Sequence, residues 1–229
     1  ILAKEEPTNL AVEALRSLRT SLHFGMLEAK SSLLLVTSAR PDEGKSFLSV
    51  NLAIVLAQTG QNICLVDTDI RRGHLRHLFN VEKSAPGLTE ILAGDAEIED
   101  VIQQDKDTGL YFIPTGKYPP NPSELLMHKR FGEALDYLNK RFDLTILDAA
   151  PVLAVTDPVI IGKYAGMILL AVRHQATHLA EVKAAQKVLE TNGLKITGAV
   201  LNGYDAKKSA YGYGAASYSY QYEYKSRDT

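Results

Sequence analysis

A single cysteine and no tryptophan occur in a chain of 229 residues. One cysteine excludes a disulfide within the chain, so a disulfide-stapled scaffold is ruled out and packing must hold the core. Cys64 stands in the apolar run Ile63-Cys64-Leu65-Val66, where it reads as a small core residue of a protein in a reducing compartment. No apolar run approaches the roughly 20 residues that a membrane-spanning helix needs. No signal-peptide pattern opens the chain either. It begins with Ile1 rather than Met and is expected to be a piece of a longer protein. Charge of one sign is lacking as well. The net charge is −2, so no basic field argues for nucleic acid as a partner. What is present, 45% hydrophobic and 23% charged residues, suits a globular protein with a sizeable core.

The organising stretch is Leu33 to Ser46, reading LLLVTSARPDEGKS. An apolar run ends at Thr37-Ser38, a loop follows, and after Ser46 the residues Phe47, Val50, Leu52, Ala53, Val55 and Leu56 recur at helical spacing. Strand, loop and helix in that order are the context a phosphate-binding loop requires. Backbone N–H groups of the loop and helix start point at an anion. Gly44 allows close approach to phosphate, Lys45 can reach the β- and γ-phosphates, and Ser46 can ligate Mg²⁺. Ala39 replaces the usual leading glycine. The bland alternative is a Gly-Lys-Ser turn with a solvated lysine.

Two acidic features follow. Asp67 and Asp69 stand at the carboxyl end of a short buried strand at Asn62–Val66. Catalytic groups of open parallel sheets collect at that edge, so a metal or base role outweighs a turn role. Asp148 follows the strand Phe142–Leu147 and opens Asp148-Ala149-Ala150-Pro151, which fits the acid that holds Mg²⁺ or its water in phosphate-loop enzymes.

Elsewhere strands and helices alternate. Residues 1–30 give a short extended lead and then a helix capped by Thr8 or Asn9, with Leu10, Leu15, Leu18 and Leu22 as its apolar stripe. On that helix Glu13, Arg16 and Arg19 lie three apart, either as a solvated face or as a surface for a partner. His74 and His77 lack further ligands and read as surface or turn residues. Leu110–Pro114 is a strand, and the three-proline loop through Pro122 leads to one helix, capped by Asn121 or Ser123, running through Leu125, Leu126, Phe131, Leu135 and Leu138. Asp157-Pro158 starts a helix, Gly166–Val172 is the most apolar strand, Thr177–Leu189 is a helix, and Ile196–Asn202 is the last strand. The alternation predicts an α/β fold, a mostly parallel sheet with helices on both faces, without linker or repeat between residues 30 and 205.

From residue 207 the composition changes. Tyr211, Tyr213, Tyr218, Tyr220, Tyr222 and Tyr224 fall among Ser, Gly and Ala, and aliphatic residues vanish. Such a tail cannot bury a core and is expected to be disordered. The tyrosine alternation from Ser217 to Tyr224 also permits a strand, and the composition permits a sticky low-complexity tail. The functional reading is a set of phenols offered to a phosphotransfer site.

Together these motifs resemble the cytoplasmic catalytic domain of the bacterial tyrosine kinases (BY-kinases) of capsular and exopolysaccharide export, in the proteobacterial Wzc/Etk type. The resemblance covers essentially the whole chain. It rests on Ala39–Ser46 as Walker A, Leu65–Arg71 with D-x-D-x-R as Walker A′, and Thr145–Pro151 as Walker B. The Glu13/Arg16/Arg19 signature, Pro119–Leu126 and the tyrosine cluster complete it. The resemblance implies a phosphate-loop fold of the MinD/ParA kind over residues 1–206, with an oligomerisation helix at about 8–28, and a tyrosine-rich tail over 207–229. It implies ATP and Mg²⁺ as cofactors and transfer of the γ-phosphoryl group to tail tyrosines of a neighbouring subunit. It assigns nucleotide contacts to Ala39, Asp42, Glu43, Gly44, Lys45, Ser46 and Phe47, with Asn202 at adenine. Mg²⁺ would be held by Ser46, Asp69 and Asp148, Lys45 and Asp69 would act in catalysis, and Asp67 would take the tyrosine proton. Glu13, Arg16 and Arg19 would join subunits of a ring-like homo-oligomer. Further implied partners are a tyrosine phosphatase and the membrane polysaccharide export machinery, at the cytoplasmic face of the inner membrane. Ala149 and Ala150 depart from the usual pattern. His74 stands where some relatives carry an internal regulatory tyrosine, so that switch is expected to be missing or moved. The rival is a MinD/ParA-like ATPase switch that leaves tyrosines unmodified. Arg40, in place of the signature lysine of those ATPases, and the tyrosine tail both oppose it.

Overall fold

The computed structural model describes residues 1–204, so the six clustered tyrosines lie outside the described residues. Seven strands form one sheet: β1 Leu33–Ser38, β2 Ile63–Asp67, β3 Gln103–Gln104, β4 Tyr111–Ile113, β5 Leu144–Asp148, β6 Met167–Arg173 and β7 Gly198–Asn202. Their spatial order is β3-β4-β2-β5-β1-β6-β7. All pairings are parallel except β3 with β4.

The helices are α1 Leu2–Glu5, α2 Leu10–Met26, α3 Lys45–Ala57, α4 Leu75–Leu78, α5 Leu88–Ala93, α6 Ile98–Val101, α7 Pro122–Met127, α8 Lys129–Arg141, α9 Asp157–Gly162 and α10 Leu179–Thr191. Side chains of a strand alternate between faces, and here both faces are buried. In β1, Leu33 and Leu35 join a core under α5, α8, α9 and α10, whereas Leu34 and Val36 join a second core under α1, α2 and α3. Cys64 is fully buried in the first core, as expected. Among the described residues no helix is long and apolar enough to cross a membrane.

Four expectations are corrected. The N-terminal lead is a helical turn, pinned where the buried Ala3 N–H donates to Asn51 Oδ1 at 2.7 Å. In α2, capped by the Asn9 side chain, Val12 takes the core place expected of Leu10, which is 81% exposed. The expected single helix after the proline loop breaks at His128, whose backbone is extended and whose ring accepts the Arg130 N–H in place of an intrahelical bond. Neither Asn121 nor Ser123 caps α7 through its side chain: Asn121 donates to Glu124 and Ser123 to Asp157.

Candidate active site

The site sits at the carboxyl ends of β1, β2 and β5, where the parallel register places Asp67 directly beside Asp148. The loop after β1 alternates backbone handedness, with Asp42 at φ 64° and Gly44 at φ 84°. That alternation turns successive N–H groups into one concavity, a form of anion nest. The first N–H groups of α3, which starts at Lys45, have no intrahelical acceptor and face the same way. Gly44 is required twice. Its φ is left-handed, and a Cβ there would lie 1.8 Å from Asn202 Nδ2.

Lys45 Nζ lies 3.5 Å from Asp69 Oδ2 and 3.4 Å from Ser46 Oγ. Asp69 is held from behind: its N–H donates to the Asp148 carbonyl at 3.1 Å, and Arg72 N–H donates to its Oδ1 at 3.0 Å. Asp148 accepts the Ser49 hydroxyl at 3.1 Å. Asp67 Oδ2 accepts the Leu75 N–H at 3.0 Å, while its Oδ1 is buried without a partner. Burial first, and the neighbouring Asp148 second, push the Asp67 carboxyl up to about 7. Burial also raises Asp148, against the pull of Lys45. A cavity of about 460 Å³ opens above, lined by Lys45, Asp69, Arg71, His74, Pro41 and Pro151 among others. Ser46 and Phe47 line a neighbouring apolar groove, and the exposed His74 borders both.

The predicted residues therefore divide. Lys45, Ser46, Asp69 and Asp148 converge. Asp67 is beside them but sealed, 1% exposed, with Gly73 packed so closely that a Cβ there would lie 2.5 Å from its Oδ2. Ala39 is buried at the loop base, and Asp42 and Phe47 are exposed at its sides. The Glu43 carboxylate is occupied by the Arg40 N–H and the Thr177 hydroxyl, so its N–H is what it can offer an anion. Asn202 Nδ2 donates to the Glu43 carbonyl at 3.3 Å, which ties β7 to the loop. Glu13, Arg16 and Arg19 are remote, on α2, and Glu13 pairs with Arg16 within that helix. Sequence reasoning missed Ser49, Arg173 and the Arg71–Asp157 pair. Ser49 sits one turn after Lys45, a spacing that could have revealed it. Arg173, at the end of β6, donates to the Asp42 carbonyl at 2.8 Å.

The donor set suits a metal nucleotide. Three aspartates crowd together, one with an orphaned buried oxygen, and a cation would relieve their repulsion. Among the described residues no cluster of three or more His, Cys, Asp or Glu could hold a metal alone. Mg²⁺ commonly takes one or two carboxylates and completes its shell with water and phosphate.

Fold and loop define an α/β phosphate-loop ATPase-like domain. A family model described as an AAA domain matches residues 36–191. The cell division ATPase MinD of Pyrococcus furiosus shares the fold at 24% identity, with a TM-score of 0.62 over 74% of this chain and 70% of that one. A more specific likeness is to the kinase domain of the Escherichia coli tyrosine kinase ETK, 44% identical with a TM-score of 0.88 over 93% of this chain and 84% of that one. A Klebsiella pneumoniae protein assigned as a tyrosine-protein kinase in the cps region is 44% identical over 203 residues, 89% of this chain. The chain spans only 28% of that relative's length. The chain belongs to the AAA-domain family and, within it, to the bacterial tyrosine-kinase domains.

Proposed function

We propose that this domain transfers the γ-phosphoryl group of ATP to tyrosine hydroxyls, chiefly Tyr211, Tyr213, Tyr218, Tyr220, Tyr222 and Tyr224 of a neighbouring copy. The observation that carries this is the convergence of Lys45, Ser46, Asp69 and Asp148 on one sheet edge, with the buried Asp67, its carboxyl pushed up to about 7, behind them. Ser46, Asp69 and Asp148 would hold Mg²⁺, whose chemistry is to neutralise phosphate charge. Lys45 stabilises charge on the transferred group, and the loop N–H groups orient the phosphates. Asp67 is the proposed acceptor of the phenol proton. A phenol titrates near 10, so this base acts late and mainly by orienting the nucleophile. Asp67 is sealed under Gly73 here, so this role requires the Gly73 segment to move aside.

The cps-region name of one relative supports a part in capsule or exopolysaccharide export, and we propose a tyrosine phosphatase and the membrane export machinery as partners. In that setting the domain works as a ring-like oligomer at the cytoplasmic face of the inner membrane. Intact mass after incubation with ATP and Mg²⁺ tests the reading. Successive additions of about 80 Da, one phosphoryl group each, should map to residues 211–224 and vanish in Lys45→Met. Release of ADP and phosphate with no gain of mass would instead establish the MinD-like switch.

A further inference from the structure

Two stretches of sequence are left over by this chemistry: the arginine that ends D-x-D-x-R, and the Pro-Pro-Asn-Pro-Ser segment. The fold joins them. Arg71 Nε donates to Asp157 Oδ2 at 2.7 Å and Nη2 donates to Oδ1 at 3.1 Å, a two-point pairing. Nη2 also donates to Ser123 Oγ at 2.8 Å, and the Ser123 hydroxyl donates to Asp157 Oδ1 at 2.8 Å. The three side chains thus close a ring of hydrogen bonds between the acidic loop, the start of α7 and the start of α9.

Asp157 is fully buried. A buried carboxylate persists only if paired, so Arg71 is bound to stay. Its backbone is thereby fixed two residues past Asp69, and the Arg72 N–H that holds Asp69 Oδ1 is the next peptide. Arg71 also lines the 460 Å³ cavity, as do Ala150, Pro151, Ala154 and Val155, the stretch that leads into Asp157. The clamp therefore ties together two segments that line the cavity along with Lys45 and Asp69.

We propose that Arg71 is a positioning residue: through Asp157 and Ser123 it sets the Asp69 carboxylate for the metal that accompanies the nucleotide. The guanidinium fork matters, because an ammonium group cannot make the two-point pairing. This inference rests on the proposed Mg²⁺–nucleotide site.

The test is equilibrium binding of a fluorescent ADP to the parent, Arg71→Lys and Ser123→Ala, titrated with Mg²⁺ and repeated in chelator, with melting curves alongside. Groups that orient a metal ligand typically alter metal affinity about 10- to 100-fold. Arg71→Lys should raise the Mg²⁺ requirement by about that factor, and Ser123→Ala should raise it less. Metal-free binding should stay unchanged in both. An unchanged Mg²⁺ requirement in both variants overturns the proposal. So does a fall in metal-free binding equal to the metal-dependent loss, which marks a merely structural clamp. If the parent itself shows no Mg²⁺-dependent binding, the site reading fails first. Ser123→Ala removes one hydroxyl and keeps the charge pair, so it remains informative if Arg71→Lys does not fold.

Discussion

Asp67 combines a cost in stability with a proposed role in chemistry. Its carboxyl is pushed up to about 7, by burial before all else. In the unfolded chain it titrates near 3.9. Between those values the native state keeps a proton that the unfolded chain has released. The group's favourable contribution is therefore full below about pH 4 and is lost as pH rises through about 7. Asp67→Asn retains an acceptor for the Leu75 N–H but cannot ionise. We expect it to melt above the parent at pH 8 and to lose most of that advantage toward pH 5. One pKa unit is worth about 1.4 kcal/mol, so the gain is on the order of 4 kcal/mol at most. Melting curves at the two pH values check this, and an equal shift at both contradicts it. The same variant should lose phosphoryl transfer, while in the parent the single-turnover rate should rise through neutral pH. Gly44→Ala is a second local test. It forces a Cβ into a left-handed backbone and into Asn202. Nucleotide binding should fall at least tenfold, about 1.4 kcal/mol, and a calorimetric titration would reveal unchanged binding if the loop can adapt.

At the scale of elements, the proposed assembly role of α2 can be separated from its place in the fold. Its buried residues Val12, Leu15 and Leu22 pack on the sheet side, while Glu13 is exposed and paired with Arg16. Exposed ion pairs contribute about 0–1 kcal/mol. Substituting Arg16 and Arg19 with Ala should thus lower the melting temperature of the isolated domain by only a degree or two, since about 1 kcal/mol shifts Tm by roughly 2–4 °C at this size. Light scattering should nevertheless show loss of the oligomer. A large stability loss without any change in assembly would return the helix to a purely structural role. Elements were legible in the sequence where one period dominated. β1, β6 and α3 are long apolar patterns, and the order strand-loop-helix located the phosphate loop. The break at His128 was hard to read: the five-residue step from Leu126 to Phe131 departs from helical spacing, but no Gly or Pro stands between them to mark a stop. β3 is two glutamines and carries no pattern. The acidic pair was legible because both residues end one strand. Its meeting with Asp148 needed the parallel register, and the link from Arg71 to Asp157 crosses 86 positions with no local signal.

For the whole molecule the governing quantity is charge. The chain carries −2 before modification. Its tail holds Lys207, Lys208, Lys225 and Arg227 beside six tyrosines, so it begins close to neutral or basic. Each phosphorylation adds about −1.5 to −2 charges, so six add roughly −9 to −12. In the proposed ring these anionic tails would repel one another, opposed by the surface charged residues of α2 proposed as contacts. We expect fully phosphorylated protein to fall to smaller species and phosphatase treatment to restore the ring. The effect should be strongest at low salt, because the screening length shrinks from about 30 Å at 0.01 M to about 10 Å at 0.1 M. Lys45→Met, which cannot gain phosphate, should stay assembled under every condition. Light scattering on both proteins before and after ATP measures this directly. An unchanged oligomer at low salt, with six phosphates confirmed by mass, would mean that contacts stronger than tail repulsion hold the ring and that phosphorylation signals by some other route.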